Sequence, residues 1–151
     1  MENKENILSE IILGSIPIEK ITVGMTVGYS QTISDADIKC FAGMSGDHNP
    51  IHVDEEYAGK SRYGKRIAHG LMTASFFSAL FGTKVPGPGC VYISQNLSFK
   101  RPIYIGDTVT ATVEVTNVDI EKSRVIFKTI CRVKGKIVTT GDAEIFIPRV
   151  K

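Results

Sequence analysis

The apolar and polar positions divide the chain into a first half of helical patterns and a second half of strand patterns. Between Gly70 and Phe81 the run GLMTASFFSALF leaves no polar face, because Leu71, Met72, Ala74, Phe76, Phe77, Ala79, Leu80 and Phe81 occupy every side of a helical turn. A helix that is apolar all round, yet too short for a bilayer, is expected to be buried on every side. It would span about 18 Å, enough to cross a small sheet, and Gly82 is expected to close it. After the loop from Pro86 to Gly89 only strand patterns follow. Val91 to Phe99 reads as one strand. From Asp107 to Val118 the chain alternates, with Val109, Ala111, Val113 and Val115 set against Thr110, Thr112, Glu114 and Thr116. That period of two marks a strand with one buried face. Arg124 to Val133 alternates similarly, Lys134-Gly135-Lys136 makes a hairpin turn, and Ile137 to Ile147 returns.

Upstream, Met25 to Ile33 is a first strand, rich in β-branched and aromatic residues. Ser34-Asp35-Ala36-Asp37 resembles a capping box, with Asp in place of Glu. The helix it opens carries Ile38, Phe41, Ala42 and Met44 on one stripe and ends at Gly43 to Gly46. Pro50 disfavours helical backbone at Asn49 and has no N–H to give, so no helix is expected through the next stretch. Asp54 to Ala58 is a short helix with acids in its first turn. A strand, helices, one apolar helix and an antiparallel meander make an α+β fold in which a curved sheet wraps a central helix. Residues 1–15 read as a polar N-terminal lead, and 16–151 as one domain.

Composition adds mainly exclusions. The 151 residues are 42% hydrophobic and 23% charged, which is ordinary for a globular domain. A net charge of +2, with no Trp, argues against a nucleic-acid or membrane partner. The start, MENKENILSEIILGS, lacks a basic region followed by a long apolar run, so no signal peptide is expected and the chain reads as cytoplasmic. Cys40, Cys90 and Cys131 match neither a disulfide framework nor a metal-ligand spacing; reduced thiols, buried or half-buried, are expected.

Candidate chemistry sits in two blocks. The first is FAGMSGDHNPIHVDEEYA, residues 41 to 58. Asp47 and His52 lie five residues apart across a bend at Asn49-Pro50, so a carboxylate and an imidazole can face one spot, hold one water and exchange its protons. Asn49 can support the bend through its side-chain amide. Taken alone, the same residues also suit a surface turn with a solvated histidine. His48 reads as facing away. The second block is Ala68-His69-Gly70. Gly70 begins the apolar helix, where amide N–H groups lack partners and the helix dipole is positive, a place suited to an oxyanion. Gly70 is equally suited to close packing against the sheet. His69 reads as a capping or packing residue. Ser75 is expected to bond a carbonyl one turn back, whereas Ser78 could orient part of a site. A G-x-S-x-G elbow, a phosphate loop and a metal-binding motif are absent from the sequence.

Together these blocks, with RIAHGLMTASFFSAL, PGPGCVYISQNLSFKRPIYIGDTV and the meander, resemble the (R)-specific enoyl-CoA hydratases of the MaoC-like family. The resemblance runs from about Thr22 to Ile147. It implies a hot-dog fold with an overhanging helical segment, a homodimer or higher homo-oligomer, and a place in fatty acid metabolism. It also implies reversible addition of water to trans-2-enoyl-CoA thioesters, giving (R)-3-hydroxyacyl-CoA without a cofactor or metal. Carried over, Asp47 and His52 are the catalytic pair, the Gly70 N–H is the oxyanion hole, and Asn49 and Ser78 support them. Which of Asp47 and His52 is the base stays open. Candidates for the acyl slot are Leu71, Met72, Phe76 and the surroundings of Tyr92, with plain core packing the better reading for most of them, and Lys65, Arg66, Lys100 and Arg101 suit the CoA phosphates and a solvated basic surface about equally. Three alternatives within the fold are a 3-hydroxyacyl-[acyl carrier protein] dehydratase, a thioesterase and a non-catalytic acyl-CoA-binding module.

Overall fold

A computed structural model describes residues 14–149, so all but the end of the polar lead lies outside the described residues. The strands are β1 (Thr26–Thr32), β2 (Val91–Gln95), β3 (Ser98–Phe99), β4 (Thr108–Asp119), β5 (Arg124–Val133) and β6 (Lys136–Phe146). The helices are α1 (Asp35–Ser45), α2 (Pro50–Val53), α3 (Glu55–Gly59) and α4 (Gly70–Thr83). All six strands form one antiparallel sheet in the order β1-β4-β5-β6-β2, with β3 also against β6.

The expected alternation is realised in β4: Val109, Ala111, Val113 and Val115 are buried, while the intervening threonines and Glu114 face outward. In register, Val115 stands opposite Phe127 of β5. Lys134 and Gly135 both take positive φ between β5 and β6, as a two-residue hairpin turn of the right-handed twist requires. Register shifts at Val115/Asn117, Cys131/Arg132 and Tyr92/Ser94 add local twist and help the sheet curl. Its concave face holds α4. Phe77, Leu80 and Phe81 are at most 1% exposed, and the Phe81 ring meets Phe127 edge-on at 4.8 Å. Burying one such phenylalanine contributes roughly 1.5–3 kcal/mol.

Several sequence expectations change. The apolar helix is not buried on every side: Leu71, Ser75, Ser78, Ala79 and Gly82 form an exposed stripe, the positions one helical face repeats. Gly82 does not close it either. The helix continues through Thr83, whose hydroxyl bonds the Ala79 carbonyl at 2.6 Å, and the Lys84 N–H reaches the Leu80 carbonyl at 3.0 Å. Pro50 starts α2 rather than preventing a helix, because at the first helical position the missing N–H would have had no partner. Val91 to Phe99 is two strands, broken at Asn96-Leu97. There the Asn96 carbonyl lies over Gly141 of β6, where a Cβ would come within 1.8 Å of it. Among the thiols Cys131 is buried and Cys90 half-buried as expected, but Cys40 is exposed on α1.

Candidate active site

Local structure around Asp47 is set by short-range bonds. Ser34 and Asp37 form a full capping box at the start of α1, and Gly46 ends that helix in the left-handed conformation at φ 80. The Ser45 hydroxyl donates to the Phe41 carbonyl and accepts from the Asp47 N–H at 3.1 Å. Asn49 then acts twice. Its N–H donates to Asp47 Oδ1 at 3.1 Å, and its Oδ1 caps α2 by accepting from the Ile51 N–H at 3.1 Å. One residue thus ties the carboxylate to the one-turn helix that carries His52. His48 is exposed and lies outside the cleft described below.

His52 is 8% exposed, and its Nδ1 sits 2.7 Å from the Ile67 carbonyl. A carbonyl can only accept, so Nδ1 carries the proton and Nε2 keeps its lone pair. Nε2 lies 3.9 Å from Asp47 Oδ2. That is too long for a direct hydrogen bond, but a water about 2.8 Å from each atom fits between them. Burial lowers the pKa of His52 from the ordinary 6.5, the bond to Ile67 opposes that, the neighbouring His69 adds to it, and Asp47 opposes it. The imidazole is therefore neutral at neutral pH, with a basic nitrogen aimed at the carboxylate.

Asp47, His52 and Gly70 line one cleft of about 440 Å³, together with His69, Leu71, Phe99, Thr139 and a rim of Arg62, Lys100 and Arg101. Gly70 is the first residue of α4, so its N–H has no carbonyl one turn back. The Phe99 ring lies over Gly70, and a Cβ there would approach it to 2.6 Å.

The other candidates are placed as follows. Ser78 lies two turns along α4 on the exposed stripe and does not line the cleft of its own chain. Of the acyl-slot candidates only Leu71 lines the cleft; Met72 and Phe76 are buried in the core, and Tyr92 packs edge-on against Phe81 at 5.1 Å. Lys65 stands over the Tyr104 ring at 4.6 Å. Arg66 is 7% exposed: its Nε–H donates to the His52 carbonyl at 2.5 Å, and its other nitrogens lie 2.7 Å from Asp35 and 3.5 Å from Glu55. It clamps α1, α2 and α3 behind His52 and has no free face for a phosphate. Ser75 bonds the Met72 carbonyl as expected. His69 offers α4 no side-chain cap. It is buried against Asp47 and His52 instead, a position that no local pattern announces.

One ligand atom each from Asp47, His52 and His69 lie within 4.8 Å of one another. The His69 Nε2 is engaged, however, 2.9 Å from the Asp47 carbonyl, so it is a donor there and has no lone pair to offer.

A family model described as MaoC like domain matches residues 20–142. The chain is 50% identical over 130 residues to the (R)-specific enoyl-CoA hydratase of Rhodospirillum rubrum, covering 86% of this chain and 90% of that one. It is 44% identical over 131 residues to the 3-hydroxybutyryl-CoA dehydratase of Methylorubrum extorquens, covering 87% and 83%. Among solved structures, the (R)-hydratase from A. caviae involved in PHA biosynthesis superposes with a TM-score of 0.84 at 37% identity, covering 86% of this chain and 99% of that one. The chain belongs to the MaoC-like family and has its hot-dog fold.

Proposed function

We propose that this protein is an (R)-specific enoyl-CoA hydratase, a hydro-lyase that adds water reversibly to trans-2-enoyl-CoA. The observation that carries this reading is the pair Asp47 Oδ2 and His52 Nε2, 3.9 Å apart in the cleft that also contains the first amide of α4. Water held between the pair loses a proton to His52 Nε2, the nitrogen with the lone pair, as its oxygen joins the β-carbon. The C=C electrons move toward the thioester oxygen, which the Gly70 N–H receives. When the enolate collapses, the proton on His52 passes to the α-carbon, so one water is added and the enzyme is restored. Asp47 accepts the other water proton in a hydrogen bond and fixes the direction of attack, and Asn49 holds Asp47 in turn. General base catalysis of this kind contributes about a hundred- to ten-thousand-fold, and an oxyanion donor roughly 2.7–4 kcal/mol.

Arg62, Lys100 and Arg101 at the cleft mouth support CoA as the carrier, since Asp47 is the one carboxylate among the lining residues. Two features support a homodimer. Strand β2 ends the sheet with Val91, Tyr92 and Ile93 exposed, and the uncovered stripe of α4 includes Leu71; open edges of this kind invite pairing. Ser78 lies on that stripe, so its supporting role would be exercised from a face the second copy covers. Residues 16–151 then act as one domain of a cytoplasmic enzyme; among the described residues no helix is long and apolar enough to cross a membrane.

The test is to follow loss of the enoyl-thioester absorbance with crotonyl-CoA, crotonyl-pantetheine and a crotonyl carrier protein. Hydration of crotonyl-CoA, with a KM that rises on Arg62→Ala/Lys100→Ala while that for crotonyl-pantetheine does not, supports the reading. Higher kcat/KM on the carrier protein indicates the dehydratase of chain elongation. Release of free thiol indicates a thioesterase, and tight binding without turnover a binding module.

A further inference from the structure

Within the cleft one buried side chain touches both members of the Asp47/His52 pair and has no part in the chemistry just described. His69 is 2% exposed. Its Nε2 lies 2.9 Å from the main-chain carbonyl of Asp47, and its ring stacks on His52 with centroids 3.8 Å apart at 30°. On the other side it meets Phe41 at 4.8 Å. It immediately precedes Gly70, whose amide begins α4, and it makes no capping bond to that helix.

We propose that His69 is the positioning residue of this site, fixing Asp47 through a hydrogen bond to its main chain and His52 through the face of its ring. The inference rests on the hydratase reading for its kinetic consequences but not for its geometry. A carbonyl accepts, so Nε2 must carry the proton and Nδ1 the lone pair. Nδ1 is buried without a hydrogen-bond partner among the described residues, so a proton placed there would be a buried donor with nothing to bond. The tautomer is thereby fixed, and with it the direction of the bond to Asp47.

Asp47 sits in a loop and its side chain is 49% exposed. Its local bonds come from Ser45 and Asn49, both within two residues. The bond from His69, 22 residues further on, is the long-range one, and it references Asp47 to the start of α4. His52 is held at its edge by Ile67 and over its face by His69. Neither near-isostere meets both requirements: phenylalanine supplies the face without the donor, and glutamine supplies a donor at the reach of Nε2 without the face.

This gives a direct dissection in the full-length protein with crotonyl-CoA. A displacement of about 1 Å in a reacting group can cost about a hundred-fold in rate. His69→Phe is expected to lower kcat by about that factor, leaving KM within about three-fold and the melting temperature close to wild type. His69→Gln is expected to recover at least about ten-fold of that loss. Wild-type kcat in His69→Phe overturns the proposal, as does a loss confined to KM. An equal loss in both variants that tracks an equal fall in melting temperature also overturns it, since that is what mere core packing would give. A nitrogen-15 spectrum of the histidine rings supplies the test that does not need turnover. It should show Nε2–H on His69 and Nδ1–H on His52. Nδ1–H on His69 overturns the proposal even if hydration is observed, and the expected tautomers uphold the geometry even if crotonyl-CoA is not a substrate.

Discussion

At the scale of single residues, His52 sets the pH behaviour. Its pKa lies below the ordinary 6.5 because burial disfavours the imidazolium, with His69 acting in the same direction and Ile67 and Asp47 against it. As the base it must be neutral, so the acid limb of kcat/KM is expected below pH 6.5; a limb at or above that value contradicts the assignment. The sign for stability follows from linkage. A depressed folded pKa means the unfolded chain binds the proton more readily, so this contribution is fully present above pH 6.5 and is lost as pH falls through the folded pKa. Melting temperatures across that range should therefore fall more steeply for wild type than for His52→Gln. Two glycines make a contrast at the same scale. A Cβ on Gly141 would meet the Asn96 backbone carbonyl at 1.8 Å, which cannot swing aside, whereas one on Gly70 meets the ring of the half-exposed Phe99. Gly141→Ala should cost at least about 1–3 kcal/mol in urea unfolding. Gly70→Ala should leave stability nearer wild type while lowering kcat, because the ring it displaces lines the cleft.

Among the elements, the clearest were those whose pattern is set by the sheet or helix they occupy. The four buried positions of β4 repeat every second residue, so that strand follows from periodicity, whereas α4 is legible as an unbroken apolar run too short for a bilayer. The capping box at Ser34 and the turn at Lys134-Gly135 are equally local and equally readable. Other features depend on what comes from elsewhere in the chain. The break between β2 and β3 is tied to the Asn96 carbonyl over Gly141, and the uncovered stripe of α4 reflects which side of the helix the sheet takes. At the site, Asp47, Asn49 and His52 stood out because three chemically suited residues cluster around one proline. The buried place of Arg66 is not legible in the sequence, which allows it a phosphate or solvent, because its partners, Asp35, Glu55 and the His52 carbonyl, come from three helices. That network has a consequence: Arg66→Ala removes the donor to the His52 carbonyl while Asp35 keeps Lys39 at 2.9 Å, and should cost about 1–3 kcal/mol. Urea unfolding reads that loss; an unchanged midpoint would show the clamp to be idle.

For the whole molecule, the exposed strand β2 and the stripe of α4 are the faces that the proposed second copy would cover. Light scattering should return twice the chain mass. Ile93→Lys, a charge on the exposed edge strand, should shift the protein toward monomer; a wild-type monomer with full activity would remove the dimer from the account. The central claim is that Asp47 and His52 add water to an enoyl thioester from one side. It is tested most directly by hydrating crotonyl-CoA with wild type, Asp47→Asn and His52→Gln side by side and determining the configuration of the product. Wild type should give (R)-3-hydroxybutyryl-CoA, with rates lower by at least about a hundred-fold in each folded variant. An (S)-product, or a wild-type rate in either variant, would contradict it.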